Sequence, residues 1–493
     1  MGETMTTMTG TTEHTILPNG IQVLTEPMPQ VRTAAVGIWI GAGSRYEEDR
    51  QAGISHFLEH MFFKGTHTRS ALDIAQAADA IGAQLNAFTD REATVLYAKA
   101  LAKHLPTVMD LTADMLLHSA LDPEALERER QVILEEIKMY EDSPDELVQD
   151  IFAQTIWNGH PLGRPVIGSV ETVQRLRRED FLAYQERRYR PNNIIVAVAG
   201  DVVHSAMVQL VADTLGGWQG ATPPLTLDPP TARADITLRT KETEQVHLTL
   251  GTRGLPQADD ARYVMAILDN ILGGGMSSRL FQEIREKRGL VYTITSYHAA
   301  YREGGLFVIY GAMSPSAAPQ VTTLILKEIE RLKDGISEAE LQRAQESYKG
   351  AVMLSLESTG SRMYKLARSQ VYYGRQVTLD EILSRIDTVT AIQVAAMVNT
   401  WEASCGPGSR RQPRGQYECG TTMSASPQRR LLHSASADRQ PQASEEGGFD
   451  RRRHGGSLRT QLQPDNGGVL HAAGIHGSHG PDSDLERPQL HSR

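Results

Sequence analysis

Three side chains in ISHFLEHMF, His56, Glu59 and His60, are spaced so that a helix gathers them. Positions i and i+4 stand one above the other on a helix face, and i+3 lies beside them. Two neutral imidazoles placed in this way can share a zinc ion, which lowers the pKa of its bound water toward about 7, and a carboxylate beside that water can take its proton. The run is an H-x-x-E-H pattern, with His56 and His60 as candidate ligands and Glu59 as general base on zinc-bound water. A surface helix whose polar face happened to hold two histidines and a glutamate would carry the same letters. A catalytic zinc also needs a third protein ligand, and ERERQVILEEIKMYEDS offers acidic candidates. Glu129 and Glu136 are seven positions apart and share a face with Val132, Ile133 and Ile137 as apolar neighbours, whereas Glu135 points about 100° away from Glu136. Periodicity alone is satisfied equally by a charge-rich helix that solvates one face.

Alternating runs predict the elements that must hold these groups. GIQVLTEP and TAAVGIWIGAGS read as strands, ISHFLEHMFF and ALDIAQAADAIGA as helices, and QLNAFTDREATVLYAKAL as a hairpin-like strand pair. Long helices follow in HLPTVMDLTADMLLHSAL and PEALERERQVILEEIKMYEDS, and NNIIVAVAGDV closes the set as an apolar strand. After a Gly- and Pro-punctuated stretch at 216–234, a similar order returns: QVHLTLGTRG, ARYVMAILDNILG, VYTITSYHAAYREGGLFVIYGAM and two amphipathic helices. ALERERQVILEEIKM and ELQRAQESYKGAVML occupy matching places, so a unit of roughly 200 residues reads as duplicated. The expected fold class is α+β: two homologous domains at 12–215 and 235–400, each a mostly antiparallel sheet with helices packed on it, joined by the 216–234 linker.

The chain has 493 residues, which is enough for roughly two to four domains. From about Trp401 the composition changes: residues 401–493 hold twelve Arg and no Lys, six of the sixteen His, both cysteines and no helical or strand period. This segment reads as a disordered tail. The second unit then lacks its closing strand, and a switch so sharp in mid-repeat is what a changed reading frame would produce. Net charge is -10, so neither nucleic acid nor an anionic membrane is an expected partner. No run approaches the roughly 18 apolar residues of a membrane span. Cys405 and Cys419 fit neither a metal pair nor a disulfide framework, and the first residues carry no signal or transit pattern. A reduced location, the bacterial cytoplasm, is expected.

The sequence resembles the pitrilysin and insulinase family of zinc peptidases (M16), in the branch that includes the mitochondrial processing peptidase and its bacterial relatives. The resemblance runs from residue 15 to about 400. It implies a metalloendopeptidase with one zinc per chain, held by His56, His60 and Glu136, the last lying 76 residues beyond His60. It implies that Glu129 orients a ligand, and that Arg285 and Tyr292 in IREKRGLVYTI bind the substrate backbone and stabilise the oxyanion from the opposite domain or a second subunit. Without the resemblance, that segment reads as a helix end capped by Gly289 followed by a strand. LNAFTDRE resembles the family's edge strand, which makes Asn86, Ala87, Phe88 and Thr89 candidate substrate contacts by β-augmentation, against a plain edge strand capped by Asp90. His104, His118 and His160 stand isolated and read as ordinary histidines. Short or unfolded polypeptides are the implied substrates, and a homodimer or a heterodimer with a homologous subunit is the implied assembly. A noncatalytic or partner-dependent subunit is the alternative, since the family contains such members.

Overall fold

The computed structural model describes residues 5–9, 12–223, 225, 227–403 and 421–425. The first half begins with β1 (Met5–Thr9), β2 (Thr12–Ile16), β3 (Gln22–Pro27) and β4 (Thr33–Ile40). Then come α1 (Ile54–Phe62), α2 (Ala71–Ala80) and the hairpin β5 (Gln84–Thr89) and β6 (Thr94–Leu101). Helices α3 (Leu105–Leu117), α4 (Pro123–Asp142), α5 (Pro144–Ile156), α6 (Val170–Arg175) and α7 (Arg178–Arg188) lead to β7 (Ile194–Gly200) and α8 (His204–Leu215). The second half has β8 (Ile236–Thr240), β9 (Val246–Gly254), α9 (Arg262–Leu272), β10 (Val291–Ala300) and β11 (Gly305–Met313). It continues with α10 (Ala318–Lys333), α11 (Glu338–Ser355), α12 (Thr359–Tyr373), α13 (Leu379–Asp387), α14 (Ala391–Ala403) and β12 (Thr421–Ala425).

The duplication is written in the strand pairing. One sheet runs β1-β2-β3-β7-β4-β6-β5 and the other β10-β11-β9-β12-β8. In the first, β7 lies parallel to β3 and antiparallel to β4. In the second, β12 lies parallel to β8 and antiparallel to β9. All other pairings are antiparallel. The strand Thr421–Ala425 corrects the expectation of a second half without its closing strand. Between β8 and β9 the backbone N–H and C=O groups need partners, and TTMSA supplies them although it is too short and polar for a period-2 signal. Residues 404–420 and 426–493, with the expected disorder and reading-frame change, lie outside the described residues.

Alternation along the strands gives each sheet two buried faces. Val36, Ile38 and Ile40 of β4 join Val196 and Val198 of β7 against α1 and α3 in the main core of the first half. The neighbouring residues Ala35, Trp39, Ile195, Ala197 and Ala199 point the other way, where Met363, Leu366 and Ala367 of α12 cover them. The trade is reciprocal: Phe152 and Ile156 of α5, with Trp157, pack on Ala299, Leu306 and Val308 of the second sheet. Each half therefore lends a helix to the other. No helix among the described residues is long and apolar enough to cross a membrane.

Candidate metal centre

Helix α1 has two faces with different work. Ile54, Phe57, Leu58, Met61 and Phe62 are buried in the core, which turns His56, Glu59 and His60 outward into a cavity of about 250 Å³. Its start is fixed by Gly53 at φ +94°, where a Cβ would come within 2.6 Å of the Ile167 carbonyl oxygen. The buried Glu47 carboxylate accepts the amides of Gly53 and Ser55, each at 2.8 Å, which satisfies donors that a helix N-terminus otherwise leaves open. Burial pushes Glu47 up to about 7 even so.

Helix α4 crosses α1 and brings the acidic residues. Asp122 caps it by accepting from the Ala125 amide, Pro123 fills its first turn, and Ile133 and Ile137 are buried. Arg130 fastens it further, stacking over Phe57 at 5.5 Å and donating to the carbonyls of Val173 and Leu176. Val132 departs from the expectation, being 49% exposed, because it lies about 100° around the helix from the buried Ile133 and so off the packed face. Glu135 also faces outward and pairs with Lys138 at 2.6 Å.

At the crossing, one ligand atom from each of His56, His60 and Glu136 lies within 4.8 Å of the others. Glu136 Oε2 is 3.8 Å from His56 Nε2 and 3.6 Å from His60 Nε2. His60 Nδ1 faces Glu129 Oε2 at 3.3 Å, so a proton on Nδ1 donated to that carboxylate leaves the Nε2 lone pair directed at the cluster. Glu129 is also held by Lys64 Nζ at 2.8 Å. Burial alone would raise its carboxyl, but the bonds from His60 and Lys64 hold it below the ordinary value. Glu136 is raised, chiefly by burial and against His60. Two imidazole nitrogens and a carboxylate oxygen are a zinc donor set, and their convergence in a half-buried recess fits that ion.

Glu59 lies beside the cluster. Burial pushes its carboxyl up to about 7, opposed by a hydrogen bond with Thr89 and by His60. Its Oε2 is buried and has no hydrogen-bond partner among the described residues. Asn86, Ala87, Phe88 and Thr89 line the same cavity from β5, the edge strand of the first sheet. Arg285 and Tyr292 do not. The Arg285 guanidinium stacks over Phe281 at 4.7 Å and Tyr292 at 5.0 Å, and Tyr292 is 76% exposed. Sequence reasoning passed over Phe63, Lys64, Tyr140, Asp150, Val166 and Ile167, which complete the cavity wall. Lys64, four residues after His60, and Tyr140, four after Glu136, could have been found by extending the same helix faces.

The profile described as Insulinase (Peptidase family M16) matches residues 22–170, and that described as Peptidase M16 inactive domain matches residues 175–348. An uncharacterised zinc protease of Bacillus subtilis is 41% identical over 377 residues, spanning 76% of this chain and 92% of that protein. An uncharacterised zinc protease of Mycobacterium tuberculosis is 41% identical over 391 residues, spanning 78% and 89%. Among solved structures, a protease from Helicobacter pylori matches with a TM-score of 0.77 at 22% identity, over 84% of this chain and 99% of that one. A Peptidase M16 inactive domain from Pseudomonas fluorescens matches with a TM-score of 0.77 at 19% identity, over 84% and 98%.

Proposed function

Since the chain belongs to the insulinase family, peptidase family M16, we propose that it is a zinc-dependent endopeptidase acting on short or unfolded polypeptides. The observation that supports this most is the convergence of His56, His60 and Glu136 beside the half-buried Glu59, in a cavity walled by the edge strand β5. Zinc held by those three residues, one ion per chain, would supply Lewis acidity that polarises a peptide carbonyl and acidifies water.

The chain's own groups do the rest. Glu59, which lines the cavity beside the three ligands, takes a proton from the attacking water and returns it to the departing amine nitrogen. Glu129 keeps the His60 ring turned so that Nε2 faces inward. The edge of β5 pairs with an extended peptide, which places the scissile bond across the mouth of the site and favours chains without fixed structure. Arg285 and Tyr292 fall outside the cavity of their own chain, so contact between them and a bound peptide is assigned to a second, homologous chain in a homodimer or heterodimer that encloses the substrate.

The test is cleavage of a quenched-fluorescence unfolded peptide by purified protein, before and after chelation and after zinc is restored. Cleavage should vanish with the chelator, return with zinc, and be lost in Glu59→Gln while that variant keeps its zinc. A folded, zinc-loaded protein that cleaves no unfolded peptide would overturn the proposal.

A further inference from the structure

The turn that ends the cavity's edge strand is tied to the second half by a buried carboxylate. Thr89, which touches Glu59, is the last residue of β5, and Asp90, Arg91, Glu92 and Ala93 carry the chain into β6. Asp90 Oδ1 accepts the amides of Glu92 and Ala93, both at 2.6 Å, so the turn is internally closed and Glu92 projects from it in a fixed direction. Glu92 is 6% exposed and collects donors from three separate places. The Arg45 guanidinium, itself buried, meets Oε1 from the loop ahead of α1. The Arg302 amide, in the turn between β10 and β11, lies 3.1 Å from Oε1 and 3.2 Å from Oε2. The Tyr372 hydroxyl of α12 donates to Oε2 at 2.7 Å. Arg45 also pairs with Glu303 at 2.5 Å, so the β10–β11 turn is held twice. None of this is needed to place the histidines, since α1 and α4 do that from the first half alone.

We infer that Glu92 is a positioning residue through which the second half acts on catalysis: by clamping the β5–β6 turn to the β10–β11 turn and α12, it fixes Thr89 against Glu59 and holds the edge strand in register for a peptide. The inference rests on the peptidase reading for its kinetic consequence, but not for its structural one. A buried carboxylate that loses a partner leaves the others unsatisfied, so the clamp is stiff while intact and fails as a unit.

The test uses the full chain loaded with zinc, as wild type, Glu92→Gln and Tyr372→Phe, with Arg279→Met as a comparator. Arg279 pairs with Glu340 in the second half, away from β5, so that variant should lose stability without touching the clamp. Measured at 20 °C are zinc content, kcat and KM on the quenched peptide, and amide hydrogen exchange of Gln84–Thr89. The expected result for Glu92→Gln is unchanged zinc content, a kcat about tenfold lower or more, KM within about threefold, and faster exchange along β5. Tyr372→Phe should move kcat and β5 exchange in the same direction by less, and it decides the matter if Glu92→Gln does not fold. Arg279→Met should leave both as in wild type. A folded Glu92→Gln or Tyr372→Phe with wild-type kcat and β5 exchange overturns the inference, whatever its melting temperature. If the wild type cleaves nothing, the peptidase reading falls by itself, and β5 exchange alone decides whether the clamp exists.

Discussion

Helix α1 illustrates how much chemistry a spacing can carry. His56, Glu59 and His60 are legible as a site because a helix has one periodicity, and the same count of turns puts Glu129 and Glu136 on a single face of α4. The partners that tune those groups were not legible. Lys64 reaches Glu129 and Thr89 reaches Glu59 only because a strand and two helices meet at one place. Glu129 gives the sharpest residue-scale prediction. Its carboxylate accepts from His60 Nδ1 and so selects the tautomer whose Nε2 can bind a metal. Glu129→Gln keeps the shape and loses the charge, and zinc affinity measured by competition with a chromophoric chelator should fall about 10- to 100-fold. At saturating zinc most activity should return, which separates this residue from Glu136, whose Gln variant should bind too weakly to be rescued.

At the scale of elements, the strands and longest helices were readable wherever a period of 2 or 3.6 ran for several turns, and the β5–β6 hairpin was expected where it occurs. Helices α5 and α12 were not among the elements read from the sequence, and a helix that covers a partner's sheet has an apolar stripe like any other, which does not say whose sheet it serves. The start of α1 was equally hidden, since Glu47 lies six residues before the Gly53 amide it accepts. That cap carries a pH signature. In the folded chain Glu47 titrates at about 7 because burial outweighs the two amides, against an ordinary value of 4.5. The folded state therefore binds its proton more tightly than the unfolded chain. The contribution to stability is full below about 4.5 and is lost as pH rises to about 7, amounting to on the order of 3 kcal/mol at most. Glu47→Gln cannot lose a proton. Its melting temperature relative to wild type should rise between pH 4.5 and pH 7.5, and a difference that stays constant across that window would refute the assignment.

The whole molecule poses a question that the repeat in the sequence answers wrongly if taken at face value. Two homologous units joined by a Gly- and Pro-punctuated stretch suggest two bodies that could be separated, yet each sheet has a face covered by the other unit. Removing α12 would bare Leu24, Trp39, Val95 and Ile195, and removing α5 would bare Leu306 and Val308. Ion pairing adds to this, since Arg362 of α12 meets the buried Glu26 of β3. A patch of that kind on a free domain drives association or aggregation. The first half, expressed alone to residue 220, should therefore unfold without a cooperative transition even though it contains every group of the metal cluster. The outcome should change when residues 221–493 are expressed as a second polypeptide in the same cell. Chain scission within 216–234 interrupts no helix or strand, so the only cost is the entropy of bringing two ends together. The pieces should then copurify one to one, bind one zinc and melt in a single transition dependent on concentration. Independent folding and zinc binding by the first piece alone would show that the exchanged helices decorate two self-sufficient domains.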